Sequence, residues 1–207
     1  GLLAHPGQTD IRITAKATTV AAADALIAPI EAQIRQRLGA FIYGVDRESL
    51  EEVVARLLLQ QEKTLAILES NTAGALADWV RATPYAATVL RAGLVASDLP
   101  ALMGALPDVA PDSLWPSAAL AASAARTVQR RVGADYVLAV IGTMQAHETF
   151  YSDERGESYL ALLHPNGLLT RHFSVGGGGE VTQRWIGNRA LDLLRRVILG
   201  LLTESVA

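Results

Sequence analysis

Two patterns of apolar residues alternate along the chain: continuous apolar runs and apolar residues at helical spacing. Leu65-Ala66-Ile67-Leu68 is a run of four apolar residues, and the segment 136–141 is a run of six. Both runs are typical of strands that are buried on both faces in the middle of a sheet. Ahead of the first run, Leu50, Val53 and Leu57 repeat with the spacing of an amphipathic helix. This alternation predicts an α/β protein.

The first 45 residues predict a small α+β unit of their own. Residues 2–5 and 10–17 predict a hairpin, and 19–38 predict a helix that Pro29 kinks or breaks. Residues 40–44 predict a third strand, which would complete a two-layer unit.

The remainder, residues 46–207, predicts a three-layer α/β/α sandwich with a mixed sheet, because alternating strands and helices are followed by a hairpin and a closing helix. One predicted helix is capped by Asp46, and three others cover 75–82, 99–105 and 117–132. A final helix of about 20 residues is predicted to follow the four glycines at 176–179. The predicted strands cover 65–68, 88–96, 135–142, 158–163 and 168–175.

Composition narrows the possible chemistry. The sequence has no Cys, which excludes disulfides, thiolate metal sites and a Cys nucleophile. No apolar run approaches the roughly 20 residues that cross a bilayer. The net charge of -3 gives no general attraction to nucleic acid. We therefore expect a cytoplasmic protein without a metal, a cofactor, a nucleic-acid partner or a membrane partner. Because Gly1 stands where an initiator Met is expected, we interpret the chain as part of a longer protein.

The stretch after the first buried run, Glu69 to Gly74, is the candidate site. It predicts a strand, a tight corner and a helix, and such a corner lies at the carboxyl end of a strand, where α/β proteins bind ligands. The N–H groups that start the helix attract anions such as phosphate. Ser70 is then a candidate nucleophile. The alternative is that Ser70, Asn71 and Thr72 are ordinary helix-capping residues.

Two parts of the chain resemble the competence/damage-inducible CinA family. The segments 10–17, 25–30, 34–39 and 43–44 are similar to its small middle domain, and the chain from Glu48 through the hairpin is similar to its C-terminal domain. The resemblance implies one domain at 1–45 and another at 46–207, without the large N-terminal domain of full-length members. In active members the C-terminal domain is a nicotinamide-mononucleotide amidase of NAD salvage, which releases ammonia and nicotinate mononucleotide.

The chain departs from the family at four parts of the implied site. The family motif Ala-Glu-Ser-Cys-Thr-Gly-Gly falls on residues 68–74, where Asn71 replaces Cys and Ala73 replaces Gly. The family segment Tyr-Ser-Asn-x-x-Lys falls on 94–102, which contains neither Tyr nor Lys. The Gly-Ile-Ala-Gly-Pro loop is replaced by residues 142–147, and Gly-Asp-Arg by 177–179.

The loss of the Lys matters most, because a Ser hydroxyl needs an adjacent base to become a nucleophile. The chain has two lysines, Lys16 in the first unit and Lys63 seven residues before Ser70, which is about 23 Å along a strand. His147 is a candidate surrogate base, and His172 is a weaker one. Three interpretations stay open: a degraded amidase, an amidohydrolase with a rebuilt base, and a structural or dimerisation module for the missing domain.

If the domain is active, the predicted catalytic residues are Ser70 and His147, acting as an amidohydrolase on nicotinamide mononucleotide or a related nucleotide. The resemblance implies a ligand site made by Glu69, Asn71, Thr72, Gly74, Gly142 and Gly177. We also expect a homodimer, since the helices predicted within 117–132 and 188–202 have more apolar surface than one sheet needs. We expect residues from 46 onward to fold alone.

Overall fold

The computed structural model describes residues 1–109, 114–143 and 155–202. We call residues 1–45 the N-terminal unit and the described residues that follow the C-terminal domain. In the N-terminal unit, strands β1 (Leu2–His5) and β2 (Gln8–Ile11) form an antiparallel hairpin. Helix α1 (Val20–Leu38) follows, and the Oγ1 of Thr19 caps it by accepting a hydrogen bond from the N–H of Ala22 at 3.2 Å.

Two expectations for this unit are wrong, and a third is narrowed. The strand predicted at 40–44 is absent, because Gly39 ends α1 with φ +47° and the chain then curls into a 3₁₀ turn at Gly39–Phe41. Strand β2 ends at Ile11 rather than at residue 17. Helix α1 continues through Pro29, so the chain does not break there, and a kink at Pro29 stays a prediction. The helix is exposed there, so water can hydrate the carbonyl that proline leaves without a donor.

The C-terminal domain is a layered α/β structure, as the sequence predicted. Its helices are α2 (Leu50–Gln60), α3 (Ala75–Arg81), α4 (Ala86–Val89), α5 (Leu99–Ala105), α6 (Ala118–Val132) and α7 (Gly179–Ile198). Its strands are β3 (Leu65–Glu69), β4 (Leu90–Val95), β5 (Tyr136–Gly142), β6 (Arg155–His164) and β7 (Gly167–Gly176).

Several boundaries in this domain differ from the prediction by one to four residues, and two of them have a clear local cause. Helix α2 is capped by Ser49, whose Oγ accepts from the N–H of Glu52 at 3.3 Å, whereas Asp46 lies in the preceding turn with φ +55°. The strand predicted from residue 88 begins at Leu90, because residues 86–89 form the short helix α4.

The five strands form one mixed sheet in the order β4-β3-β5-β6-β7. Strand β3 pairs in parallel with β4 and β5, whereas β5, β6 and β7 pair antiparallel. Strands β3 and β5 are buried along their whole length, as their continuous apolar runs predicted. Their carboxyl ends lie side by side, so the corner after β3 meets the end of β5.

Helices cover both faces of this sheet. The buried side chains of α2, α3 and α7 share one core cluster with one face, and those of α5 and α6 share a second cluster with the other. Every buried residue of the described chain lies at or after Leu50, so the N-terminal unit contributes none. Helix α6 directs its apolar residues into this core, and in the segments expected to form a dimer only Leu199 and Leu201 are exposed large apolar residues.

Helix α7 connects the N-terminal unit to the C-terminal domain. The Nδ2 of Asn188 donates to the carbonyl of Pro6 at 2.8 Å. The guanidinium of Arg195, only 2% exposed, donates to the carbonyl of Ala40 at 2.5 Å and is paired with Asp192 at 2.7 Å. Polar contacts join the two parts, and Tyr43 of the N-terminal unit also packs against the apolar core of the C-terminal domain.

Candidate functional site

The candidate nucleophile lies where the sequence placed it, but its hydroxyl group is engaged by the backbone of a neighbouring strand. The N–H of Ser70 donates to the carbonyl of Val140 at 3.0 Å, which extends the pairing of β3 with β5. The Oγ of Ser70 accepts from the N–H of Gly142 at 2.8 Å and donates to the carbonyl of Gly142 at 3.1 Å. Ser70 is 7% exposed. Both hydrogen-bonding functions of this hydroxyl group are used inside the protein.

The close approach of the corner to the end of β5 requires a glycine at position 142. A Cβ atom at Gly142 would lie 2.3 Å from the carbonyl oxygen of Glu157 and 2.4 Å from the Nδ2 of Asn71, distances that real side chains do not adopt. Only glycine lets the end of β5 contact both the corner and β6. The glycine predicted as a ligand-binding residue therefore has a clear packing role, and its part in binding stays a prediction.

Glu69, at the end of β3, caps helix α3. Its carboxylate is fully buried and accepts from the N–H groups of Leu76 at 3.1 Å and Ala77 at 2.9 Å. Free N–H groups at a helix start attract anions. Because the carboxylate of Glu69 occupies these two donors, the chain itself supplies the negative charge that a phosphate was expected to supply.

Asn71 and Thr72 are buried beside Ser70 and are incompletely bonded. The Nδ2 of Asn71 donates to the Oγ of Ser158 on β6 at 2.7 Å. Among the described residues, the Oδ1 of Asn71 and the Oγ1 of Thr72 have no hydrogen-bond partner. Buried polar atoms without a partner are costly, so these two atoms are suited to bind a water molecule or a polar ligand group.

The corner turns through two residues with positive φ. Gly74 has φ +93° and Ala73 has φ +54°, and the N–H of Ala73 donates to the carbonyl of Ser70 at 3.0 Å. A left-handed conformation costs a residue with a Cβ about 1–2 kcal/mol. The alanine that replaces the family glycine thus keeps the turn at a cost in stability.

Neither lysine is at the corner. The Nζ of Lys63 is 3.1 Å from the Oδ1 of Asp135, at the amino end of β3, the opposite end from Ser70. Burial raises the pKa of Asp135, but hydrogen bonds from Thr64 and Lys63 outweigh it and leave that pKa below its usual value. Lys16 is exposed in the N-terminal unit. The described parts of the chain contain no group of three side chains able to hold a metal ion.

The roles predicted for His147 and Gly177 both stay untested. His147 lies outside the described residues, so its role as a surrogate base stays a prediction. Gly177 is buried between β7 and α7 with φ +76°, a conformation that favours glycine. Its role in ligand binding also stays a prediction.

Sequence reasoning named His172 on β7 but missed its contacts with Glu157 and Tyr159 on β6. The Nε2 of His172 is hydrogen-bonded to the Oε2 of Glu157, and its ring stacks on Tyr159 with centroids 4.6 Å apart. The hydrogen bond from His172 is the main cause that lowers the pKa of Glu157. Strands β5 and β6 lie between β3 and β7, so three strand spacings of about 4.8 Å separate His172 from Ser70 by roughly 14 Å. His172 is therefore too far away to act as the base of Ser70.

Comparison with known proteins decides the family. The model of the CinA C-terminal domain matches residues 47–198, and the model of the damage-inducible protein CinA KH domain matches residues 1–44. The chain belongs to the CinA family. It is 38% identical over 206 residues to a CinA-like protein of Frankia casuarinae, covering 96% of this chain and 46% of that protein.

Another CinA-like protein, from Thermosynechococcus vestitus, is 34% identical over 202 residues, covering 95% of this chain and 49% of that protein. The chain thus spans about half the length of the CinA relatives it matches.

Solved CinA-superfamily structures share the fold. A protein from Klebsiella pneumoniae matches with a TM-score of 0.65 and 22% identity, over 73% of this chain and 96% of that chain. One from Escherichia coli matches with a TM-score of 0.59 and 21% identity, over 80% of this chain and 98% of that chain. No helix in the described ranges has the length and apolar character needed to cross a bilayer.

Proposed function

We propose that this CinA-family chain keeps the fold of a nicotinamide-mononucleotide amidase with a degraded active site, so that hydrolysis is weak or absent. The observation that supports this most is the hydrogen bonding of Ser70. A hydroxyl group becomes a nucleophile when an adjacent base takes its proton. The Oγ of Ser70 accepts from the N–H of Gly142, and its proton lies toward the carbonyl of Gly142, which is not a base.

The positions of the lysines support the same conclusion. Lys63 is paired with Asp135 at the amino end of β3, and Lys16 is in the N-terminal unit. Since removal of a general base typically lowers a rate by two to four orders of magnitude, the expected turnover is close to background.

Ligand binding can outlast catalysis at this corner. We propose that nicotinamide mononucleotide or a related nucleotide binds weakly at Glu69, Asn71, Thr72, Gly74, Gly142 and Gly177. The unpartnered Oδ1 of Asn71 and Oγ1 of Thr72 favour a polar ligand there. Because Glu69 already occupies two N–H groups of α3, the attraction for a phosphate is reduced.

Two alternatives come from different observations. A rebuilt amidohydrolase would use Ser70 with His147 as its base. A structural module would instead support the remainder of a longer CinA protein, which the contacts of α7 with Pro6 and Ala40 favour. We further propose that the chain is a cytoplasmic homodimer with domains at 1–45 and 46–207.

The test is ammonia release from nicotinamide mononucleotide by the purified chain, with an active CinA-family amidase as the positive control. We expect background release, together with weak binding of the same compound by calorimetry. Turnover that is abolished by both Ser70→Ala and His147→Ala would establish the rebuilt amidohydrolase. Absence of both turnover and binding would favour the structural module.

A further inference from the structure

The side-chain amide of Asn71 is hydrogen-bonded at one end only. Its Nδ2 donates to the Oγ of Ser158 on β6 at 2.7 Å, and the two residues are only 5% and 1% exposed. The Oδ1 of the same amide has no partner in the described parts of the chain. Because a buried polar atom without a partner is costly, this oxygen favours a ligand group that brings an N–H donor.

The neighbours of Asn71 determine which end of its amide stays free. A Cβ atom at Gly142 would lie 2.4 Å from the Nδ2 of Asn71 and 2.3 Å from the carbonyl oxygen of Glu157, so this oxygen is on the same side of the amide as Nδ2. An amide oxygen on that side would face another oxygen, whereas an NH2 group suits both the carbonyl and the Oγ of Ser158. The amide therefore keeps its NH2 group toward β6 and its Oδ1 away from β6.

Three other polar groups of the corner agree with this preference or leave it unchanged. The Oγ1 of Thr72 is also without a partner among the described residues, but a hydroxyl group can either donate or accept. The Oγ of Ser70 is already bonded to the backbone of Gly142 in both directions. Glu69 adds a buried carboxylate, which opposes a second negative charge nearby. The corner thus favours an uncharged donor over an anionic acceptor.

We infer that Asn71, oriented by Ser158, determines the specificity of the candidate site: it selects a ligand with a primary carboxamide and rejects the same ligand with a carboxylate. Asn71 is the residue that replaces Cys of the family motif, so this pair is a feature of the present chain. The inference rests on the ligand binding in the proposed function and does not depend on catalysis. In it Asn71 contacts the ligand, and Ser158 is a positioning residue.

Calorimetry with the full natural chain tests the preference, using two probes that differ only in this group. Nicotinamide mononucleotide carries a carboxamide, and nicotinate mononucleotide carries a carboxylate. The dissociation constant of the amide should be lower by about tenfold or more, because the carboxylate would place an oxygen against the Oδ1 of Asn71. Equal affinities, or tighter binding of the carboxylate, would overturn the inference and leave binding at the corner standing. Absence of binding by both probes would overturn the binding proposal as well.

The variant Ser158→Ala tests the positioning role. It removes the acceptor that holds the Nδ2 of Asn71, so the amide can turn and offer its NH2 group to a carboxylate. The ratio of the two dissociation constants should then fall to about two or less. Ser174→Ala, whose hydroxyl group bonds to Glu157 instead, is the matched control and should keep the ratio of the natural chain. An unchanged ratio in folded Ser158→Ala would show that Ser158 does not orient the amide, and would overturn the inference.

Asn71→Ala is the second variant, for the case that Ser158→Ala does not fold. It removes the Oδ1 itself, so it should also bring the ratio to about two or less. A ratio that stays near that of the natural chain would contradict the selecting role of Asn71. Circular dichroism checks that each variant keeps the fold, and ammonia release decides the catalytic proposal separately.

Discussion

The N-terminal unit and the C-terminal domain both belong to recognised parts of the CinA family, but their packing is opposite. In the C-terminal domain helices pack on both faces of the sheet, and β3 and β5 are fully buried. In the N-terminal unit no residue is buried, and it contains nine of the fifteen exposed large apolar side chains in the described chain. The difference shows that an amphipathic pattern specifies what a segment must bury, without specifying where its partner comes from.

The largest effect is expected when substitutions in the two regions are compared by their loss of stability. Leu138→Ala, in the middle of β5, should lower the free energy of unfolding by about 3 kcal/mol, because it leaves a cavity in the core. Ile30→Ala in α1 should lower it by less than about 0.5 kcal/mol at a concentration where the chain is monomeric. Urea unfolding measures both. Equal losses in the two variants would show that the N-terminal unit is part of the core.

The second effect concerns the Ser70 corner inside the packed domain. Ser70→Ala should lower the free energy of unfolding by about 2 kcal/mol, because it leaves the buried N–H and carbonyl of Gly142 without partners. Ser97→Ala, at an exposed position, is the control and should be nearly neutral. A neutral Ser70→Ala would mean that the two hydrogen bonds do not stabilise the folded chain.

A third change should increase stability. Ala73→Gly removes the Cβ atom that strains the left-handed backbone at φ +54°. Glycine is also more flexible in the unfolded chain, which offsets part of this gain. The free energy of unfolding should therefore rise by about 0.5–1 kcal/mol. Ala119→Gly, at an exposed position in α6, should instead lower the free energy of unfolding by up to about 1 kcal/mol. Thermal melting of the two variants separates the local effect from a general effect of glycine.

The smallest effect is a dependence on pH. The pKa of Glu157 is lowered, mainly by the hydrogen bond from His172, so this pair stabilises the fold above the usual glutamate pKa of about 4.3. That contribution is lost as pH falls through the lowered pKa. Because both side chains are largely exposed, the contribution is small. The urea midpoint of Glu157→Gln should fall less steeply between pH 5 and pH 3 than that of the natural chain, and identical slopes would contradict this role.

Much of the fold follows from the sequence, because strong periodic patterns fix the type of an element. The continuous apolar runs identified β3 and β5, and a turn at residues 165–166 sets the hairpin register. That register pairs Tyr159 with His172, so counting outward from the turn would have found their contact. The prediction of a strand at 40–44 was wrong because Gly39, with positive φ, redirects the chain. A pattern of apolar residues carries no information about φ.

The place of the candidate corner in the fold was predictable, and its hydrogen bonds were not. The strand-to-helix corner located Ser70, Asn71 and Glu69 at the end of β3. Only three-dimensional contacts reveal that Gly142 engages the hydroxyl group of Ser70 and that Glu69 bonds to the start of α3. These partners are separated by up to 72 residues in sequence, a distance over which local patterns carry no information.

The central claim is that Ser70 stabilises the corner and does not act as a nucleophile. The most direct test is the rate of ammonia release from nicotinamide mononucleotide by the natural chain and by Ser70→Ala, measured at equal concentrations of folded protein. Both rates should lie at background, and their ratio should be about one. A natural rate well above background, reduced at least a hundredfold by Ser70→Ala, would contradict it.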